Sequence, residues 1–176
     1  FMCSLKGSYQ KLNVKTAHQA INILISKGFK ISKSSFELGF SNVQNLTGIK
    51  GRWDILGSSP KIICDTAHNT EGLSLVLEQL QKESYDNLHI VLGFVNDKLL
   101  GDIIKLFPVS ARYYFCKPDI PRGLDSDKLK RFFSDYNLNG KAYSSVKEAL
   151  FYAKSISKHN DLIFIGGSTF VVAEVI

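Results

Sequence analysis

Short apolar runs alternate with amphipathic segments from residue 51 to the last residue of the chain. The apolar runs predict strands at 61–65, 88–94, 111–116, 140–143 and 161–165. Between them, apolar residues recur three and four positions apart, which is the spacing of one face of an α-helix. Repeated strand–helix units of this kind predict an α/β domain with a mostly parallel, doubly wound sheet and helices on both faces.

Four helices can be placed by their apolar stripes and end signals. Pro108 stops the second helix, and Ser145 with Glu148 forms a capping box that starts the fourth. After the last strand, residues 166–169 turn the chain into a final apolar segment. The predicted inward-facing residues are Leu73, Val76, Leu77 and Leu80 in the first helix, Leu99, Leu100, Ile103, Ile104 and Phe107 in the second, Leu129, Phe132, Phe133 and Tyr136 in the third, and Val146, Ala149, Leu150, Ala153 and Ile156 in the fourth.

The first 48 residues show helical patterns and no predicted strand. Asn13 is expected to cap a first helix, which Gly28 ends, and Ser34 or Ser35 is expected to cap a second over 31–40. Residues 42–50 have no clear period and predict a connector. Helices without strands of their own do not easily form a domain. We therefore expect residues 1–48 to be the end of a preceding domain or an arm, and 49–176 to be the α/β domain.

Charge and cysteine content narrow the class of protein. The net charge is +6, but the basic residues are spread along the chain, and Lys27, Lys30 and Lys33, the nearest approach to a cluster, have no interleaved aromatic stripe. This favours an anionic small ligand such as a nucleotide phosphate over nucleic acid. Three widely separated cysteines do not form a disulfide framework, which favours a reducing cytoplasm. The sequence has no signal-peptide pattern and no apolar run of bilayer length, so no membrane segment is expected.

Polar side chains follow the first predicted strand, at the edge where open α/β sheets place their ligands. Asp65 ends this strand and could accept hydrogen bonds or hold a cation, and His68 can titrate near neutral pH. Asn69 or Thr70 could cap the next helix, whose first N–H groups favour an anion. Ordinary capping and solvation explain the same residues, and residue types alone leave both interpretations open.

The same ambiguity applies to two later loops and one arginine. Asp97 and Lys98 could be an acid and a base at the edge of the sheet, or a helix cap and a solvated cation. Ser168 follows two glycines that permit a nest of N–H groups, or simply a tight turn. Arg52 could meet phosphate or lie in solvent. No P-loop, G-x-S-x-G elbow, zinc spacing or G-x-G-x-x-G fingerprint is found, so these residues alone support a ligand-binding domain and no named reaction.

The order of these loops resembles the signature of folylpolyglutamate synthase and dihydrofolate synthase, in the Mur ligase superfamily. Gly51-Arg52-Trp53 and, after nine residues, Ile63-Cys64-Asp65-Thr66-Ala67-His68-Asn69 resemble G-R-[FW] and D-[GV]-A-H-N. Four further segments are similar to family motifs and follow the family's order: 7–13 to G-x-[HY]-Q-x-x-N, 93–98 to G-x-x-x-D-K, 121–124 to [PS]-R-A-[LM], and 165–170 to [TV]-G-S-[LI]-[YF].

The resemblance implies a Rossmann-like carboxyl-terminal domain preceded by the helical end of a central ATPase domain. It implies that ATP phosphorylates a carboxylate of folate or dihydropteroate and that the amino group of L-glutamate attacks the acyl phosphate. It further implies nucleotide contacts for Asn13, Arg52 and Asp65, and catalytic positions on the glutamate side for His68 and Ser168. ATP and Mg²⁺ are the implied cofactors, with the metal ligands in a missing amino-terminal part, and the implied oligomeric state is a monomer.

Departures from the family pattern limit these expectations. Thr66 replaces the usual Gly or Val, and Leu99 stands where an acidic residue often follows the D-K pair, so no catalytic role is assigned to Asp97 and Lys98. The role of Arg122 stays open. Because the P-loop is missing, the chain alone is expected to be inactive. The alternatives are another Mur-type amino-acid ligase and a non-catalytic nucleotide- or folate-binding module.

Overall fold

The computed structural model, which describes residues 2–96 and 100–176, consists of a helical amino-terminal segment followed by alternating strands and helices. The helices are α1 Gln10–Ser26, α2 Lys33–Ser41, α3 Val43–Thr47, α4 Thr70–Leu80, α5 Gly101–Ile104, α6 Ser126–Ser134, α7 Val146–Ile156 and α8 Thr169–Ala173. The strands are β1 Arg52–Ser58, β2 Lys61–Asp65, β3 Leu88–Leu92, β4 Arg112–Cys116, β5 Gly140–Tyr143 and β6 Leu162–Gly166.

The six strands form one sheet in the order β1-β2-β6-β3-β4-β5. The five strands β2, β3, β4, β5 and β6 run parallel to one another. The edge strand β1 pairs antiparallel with β2. The predicted mostly parallel, doubly wound sheet is therefore confirmed. Strand β1 was not predicted, because Arg52–Ser58 is an edge strand with mixed burial and no regular alternation of polar and apolar residues.

Apolar residues bury both faces of the sheet. One cluster packs the sheet against α4, α5 and α6, and a second packs it against α7 and α8. The predicted stripe of α4 is buried at all four positions. Tyr136 and Ile156 were predicted to face inward but are 42% and 52% exposed, because Tyr136 follows the end of α6 and Ile156 is the last residue of α7. Phe132 of α6 is also exposed, at 39%.

Several predicted helix ends are wrong by a few residues. Asn13 lies inside α1, whose N-cap is Tyr9, because the chain is anchored by Tyr9 and by the buried Gln10 before the expected start. Ser32 caps α2 by accepting a hydrogen bond from the Ser35 amide. The connector expected at 42–50 contains the short helix α3. Leu99, predicted to face inward, lies outside the described residues.

The capping box of α7 forms with a shifted partner. The Ser145 hydroxyl accepts from the Glu148 amide at 3.2 Å, as predicted. The Glu148 carboxylate bonds to Ser144 instead, accepting from its amide at 2.8 Å and from its hydroxyl at 2.6 Å. The Ser145 hydroxyl and the Glu148 carboxylate thus both stabilise the start of α7. Within the described part of the chain, no helix has the length and apolar character needed to cross a bilayer.

A polar network is buried under the amino-terminal edge of the sheet. His89 on β3 is fully buried, with Nδ1 2.8 Å from the Tyr114 hydroxyl and Nε2 3.2 Å from Asp161 Oδ2. Burial lowers the pKa of His89 below its usual value, against the effect of Asp161. The folded state therefore binds a proton on this ring less readily than the unfolded state does.

Stability is therefore expected to fall as pH is lowered below about 6.5, where the unfolded histidine becomes protonated and the folded one resists protonation. A His89→Gln variant, whose side chain does not titrate, should lose this contribution. Urea unfolding of both proteins between about pH 5 and pH 7 measures the difference. Parallel pH dependences of the two proteins would contradict a neutral, buried His89.

Candidate functional site

The predicted site residues meet at the carboxyl-terminal edge of the sheet. Strands β2 and β6 are parallel neighbours, so the loops after Asp65 and Gly166 leave the sheet on the same side. Strand β1 runs antiparallel to β2, and this places Arg52, at its start, opposite Asp65, at the end of β2. The sheet topology therefore brings Arg52, Asp65, His68 and Ser168 to one edge.

Asp65 is a buried carboxylate held by three donors, and its side chain is 1% exposed. Its Oδ2 accepts from the Tyr9 hydroxyl at 2.5 Å and from the Trp53 amide at 2.8 Å, while Oδ1 accepts from the Ala67 amide at 2.9 Å. Burial raises the pKa of Asp65, although these bonds and the charge of Arg52 act in the opposite direction. The carboxylate is fixed in one orientation by groups from three segments of the chain.

A β-bulge at the start of β1 positions Arg52. Gly51 and Trp53 both have positive φ, 73° and 58°, and the pairing with β2 is irregular between Arg52 and Asp54. A side chain at Gly51 would collide with Thr66, because an added Cβ would lie 2.5 Å from Thr66 Cγ2. Arg52 Nη1 donates a hydrogen bond to the Thr66 hydroxyl. Thr66, where the resemblance leads us to expect Gly or Val, supplies an acceptor for Arg52.

The three residues expected on the nucleotide side line one pocket of about 220 Å³. Asn13 enters it from α1, where its amide donates to Gln10 Oε1 at 2.9 Å. Arg52 and Asp65 enter from the paired ends of β1 and β2, and His68 lies at the rim shared with a neighbouring pocket. The sequence-based grouping of Asn13, Arg52 and Asp65 therefore agrees with their spatial proximity.

His68 is exposed and has a defined proton arrangement. Its Nδ1 lies 3.0 Å from the Thr66 carbonyl oxygen, which can only accept, so Nδ1 carries a proton. In the neutral ring, Nε2 is then the unprotonated nitrogen. Asn69 caps α4 by accepting from the Gly72 amide at 2.9 Å, as one of the two predicted capping choices. His68 is thereby left available to a ligand while its neighbour completes the helix.

His68 and Ser168 line a second pocket, of about 360 Å³. Ser168 is 4% exposed and caps α8, with its hydroxyl accepting from the Phe170 amide at 3.2 Å. Gly167 has φ 88° and lies so close to β3 that an added Cβ would be 2.8 Å from the Gly93 carbonyl oxygen. The loop is therefore a capped turn, as one of the two interpretations predicted, and it also forms a pocket wall.

Arg122, whose role the sequence left open, also lines this second pocket. Its guanidinium carbon lies 5.1 Å from the centre of the Phe170 ring. The Asn96 amide donates to the Arg122 carbonyl at 2.9 Å, and the Leu124 amide donates to the Phe94 carbonyl at 2.9 Å. These bonds fix the Arg122 loop to the end of β3. In the sequence, only the resemblance of residues 121–124 to the family motif [PS]-R-A-[LM], in which Arg122 matches the arginine, indicated that Arg122 lies at this pocket.

Two other predicted features have different outcomes. Asp97 and Lys98 lie outside the described residues. Across residues 2–96 and 100–176, no group of three or more His, Cys, Asp or Glu side chains could hold a metal ion. A larger cleft of about 610 Å³ between α3 and β1 contains none of the five predicted site residues.

The fold and the paired pockets at the end of the sheet define the class of protein. Residues 51–169 match the family described as Mur ligase, glutamate ligase domain, and the chain belongs to this family. Within it, the chain is similar to folylpolyglutamate synthases and dihydrofolate synthases. A probable bifunctional folylpolyglutamate synthase/dihydropteroate synthase of Haloferax volcanii is 35% identical over 173 residues, which cover 97% of this chain and 20% of that protein.

Solved structures show the same fold. Folylpolyglutamate synthase of Mycobacterium tuberculosis, complexed with ADP, superimposes with a TM-score of 0.82 at 22% identity, over 98% of this chain and 40% of that one. A bifunctional folylpolyglutamate synthase/dihydrofolate synthase with Mn, AMPPNP and L-glutamate bound gives a TM-score of 0.74 at 20% identity, over 89% and 37%. The chain thus spans a fifth to two fifths of the length of these proteins.

Proposed function

We propose that this chain is the carboxyl-terminal part of an ATP-dependent ligase that adds L-glutamate to folate or dihydropteroate through an acyl phosphate. One observation carries the proposal. A nucleotide-type pocket with Arg52 and Asp65 adjoins a second pocket with Ser168 and Arg122, and His68 lines both. An acyl-phosphate ligase needs this adjacency, because the amino acid must attack next to the site of phosphate transfer.

The pocket with Asn13, Arg52 and Asp65 is the proposed nucleotide side. The Arg52 guanidinium supplies a fixed positive charge for phosphate oxygens, and its bond to Thr66 limits the orientations it can take. Asp65 is an acceptor for nucleotide hydroxyl or amino groups, held in place by Trp53 and Ala67. The M. tuberculosis relative is complexed with ADP, which supports nucleotide binding by the longer protein.

The pocket with His68, Ser168 and Arg122 is the proposed glutamate side. Attack on an acyl phosphate requires a neutral amino group, and the unprotonated Nε2 of His68 could accept its proton or orient it. The Arg122 guanidinium suits a carboxylate of the amino acid. The Ser168 hydroxyl could donate to the same substrate while it accepts from Phe170. The family description and the glutamate-bound relative support this assignment.

The remaining elements of the reaction belong, in this proposal, to a longer protein. Residues 1–48 would be the end of a central ATPase domain and 49–176 the carboxyl-terminal domain. Helices α1 and α2 and the turn between them expose large apolar side chains that another part of the protein would cover: Leu12, Ile23, Leu24, Ile25, Phe29 and Leu38. The P-loop and the Mg²⁺ ligands would lie there. A monomer and a cytoplasmic location stay predictions, the latter supported by three free cysteines.

The isolated 176-residue chain is expected to show no folate-dependent ATP hydrolysis, since it lacks a P-loop and a described metal site. Release of inorganic phosphate from ATP can be measured with L-glutamate and dihydropteroate or tetrahydrofolate present. Folate-dependent hydrolysis of ATP by this chain would contradict the proposal that the P-loop and the Mg²⁺ ligands lie in another part of a longer protein.

Replacing Arg122 with alanine in the longer protein is expected to raise the half-saturating glutamate concentration about tenfold, by loss of a charge-assisted hydrogen bond. The ATP requirement should stay unchanged. Lys117→Ala, which removes an exposed cation from a different pocket, is the matched control. An equal change in the ATP and glutamate requirements would contradict a role for Arg122 on the glutamate side.

A further inference from the structure

A groove of about 280 Å³ lies along β4 and β5, beside α7. The side chains of Arg112, Tyr114, Lys141, Tyr143, Tyr152 and Ile156 line it, and we call it the β5 groove. The β5 groove lies on the outer strands β4 and β5, whereas Asp65 and Gly166 end β2 and β6, on the other side of β3. The groove shares no lining residue with the two pockets of the proposed ligase site.

One wall of the β5 groove is a column of stacked tyrosine rings. The ring centres of Tyr114 and Tyr143 are 5.9 Å apart at an interplanar angle of 23°, and those of Tyr143 and Tyr152 are 5.1 Å apart at 29°. At its inner end the column meets the buried His89, whose ring lies 5.8 Å from Tyr114. At its outer end Tyr152 is 45% exposed. The groove thus has a pre-packed aromatic surface that reaches solvent.

Two cations flank this aromatic wall. Arg112 and Lys141 are exposed, and Lys141 pairs in register with Tyr114 on the neighbouring strand. None of the ion pairs found in the described part of the chain involves either cation. The charge of Arg112 lowers the pKa of both His89 and Tyr114. Burial has the larger effect on each ring, lowering the pKa of His89 and raising the pKa of Tyr114.

The sheet leaves the groove uncovered because β5 is an edge strand. Helix α7 packs on the sheet through Val146, Ala149 and Ala153, which are fully buried. Its last residue, Ile156, is 52% exposed and forms an apolar rim. The combination of an apolar rim, aromatic rings and two cations is the composition of a site for a ligand with a flat apolar part and a negative charge.

We propose that the β5 groove binds a small planar aromatic anion, with its ring against the tyrosine column and its acidic group between Arg112 and Lys141. A volume of 280 Å³ is slightly below the usual range for drug-sized ligands, about 300–1,000 Å³, so one ring system with one acidic group is the fitting size. Aryl phosphates, including mononucleotides, and aryl carboxylates share this chemistry. The proposal is independent of the proposed ligase function.

Nuclear magnetic resonance titration of the 176-residue chain tests the proposal with phenyl phosphate, benzoate and inorganic phosphate as probes. At least one aromatic probe should bind about tenfold more tightly than inorganic phosphate, which has the charge without the ring. The resonances of Tyr143, Tyr152 and the His89 ring should shift with it. Preference for phenyl phosphate or for benzoate identifies the phosphate or the carboxylate class of ligand.

Matched variants assign the binding to the groove. Arg112→Gln and Tyr152→Leu should each weaken binding of the preferred aromatic probe by about five- to tenfold. Arg131→Gln and Tyr136→Leu make the same two changes at exposed positions outside the groove, and they should have no effect.

Three outcomes would overturn the proposal. The first is no saturable binding of either aromatic probe, and the second is equal affinity for inorganic phosphate. The third is binding that the Arg112 and Tyr152 variants do not weaken more than their controls do. Because no ATP or glutamate is used, failure here would leave the proposed ligase function unaffected.

Discussion

Replacing Arg52 with alanine in the longer protein is expected to raise the ATP concentration for half-maximal rate by about 10- to 100-fold. The variant loses a charge-assisted contact that is worth about 1.5–3 kcal/mol when the partner is a phosphate oxygen. Arg52 lies on the edge strand and is only partly buried, so the fold should persist. Steady-state kinetics with varied ATP at saturating glutamate measure the effect.

Lys50→Ala is the matched control for this variant. Lys50 is an exposed cation two residues earlier, and it lines the cleft beside α3 rather than the pocket with Asp65. The Lys50→Ala substitution removes one positive charge from the same region but leaves the proposed contact between Arg52 and phosphate in place. An Arg52 variant with an ATP requirement like that of the Lys50 variant would refute the assignment of this pocket to the nucleotide.

Replacing Asp65 with alanine is expected to reduce the free energy of unfolding by about 2–4 kcal/mol. The Tyr9 hydroxyl and the amides of Trp53 and Ala67 would lose their acceptor in a buried position, and each unsatisfied buried donor costs about 1–3 kcal/mol. The loss should be smaller than the sum because water can enter beside the half-buried Tyr9. Urea unfolding of the 176-residue chain measures it.

Two further variants separate the hydrogen bonds from the charge. Asp65→Asn keeps one acceptor oxygen and should cost less than Asp65→Ala. Asp86→Ala removes an exposed carboxylate and should change stability by less than about 0.5 kcal/mol. A loss for Asp65→Ala no greater than that of Asp86→Ala would show that the three bonds to Asp65 do not hold the segments together.

Buried parallel strands were the most predictable part of the fold. Lys61–Asp65 has the bounds that the sequence predicts and Leu162–Gly166 differs by one residue at each end, since apolar runs between turn signals mark strands enclosed by helices. Strand β1 was missed because its pairing depends on a bulge, with Trp53 at positive φ. That conformation is set by a tertiary bond, from the Trp53 amide to Asp65, which local sequence does not encode.

The sequence predicted which residues belong to the candidate site, but it did not predict the hydrogen bonds that hold them in place. Resemblance to family motifs grouped Asn13, Arg52 and Asp65, and the structure places them in one pocket. The bond from Tyr9 to Asp65 joins residues 56 positions apart, and nothing in the local pattern identifies it. The sequence left the role of Arg122 open for a related reason. Residue type alone does not distinguish an arginine beside a pocket from an arginine in solvent.

We propose that this chain supplies the glutamate side and part of the nucleotide side of a folate-type ligase. An assay of the longer protein with ATP and isotope-labelled L-glutamate, with dihydropteroate and tetrahydrofolate offered separately, tests this proposal most directly. We predict label in a new amide of at least one pteridine product, with ADP and phosphate formed in equal amounts. A folded, nucleotide-binding protein that transfers glutamate to neither acceptor would contradict the claim.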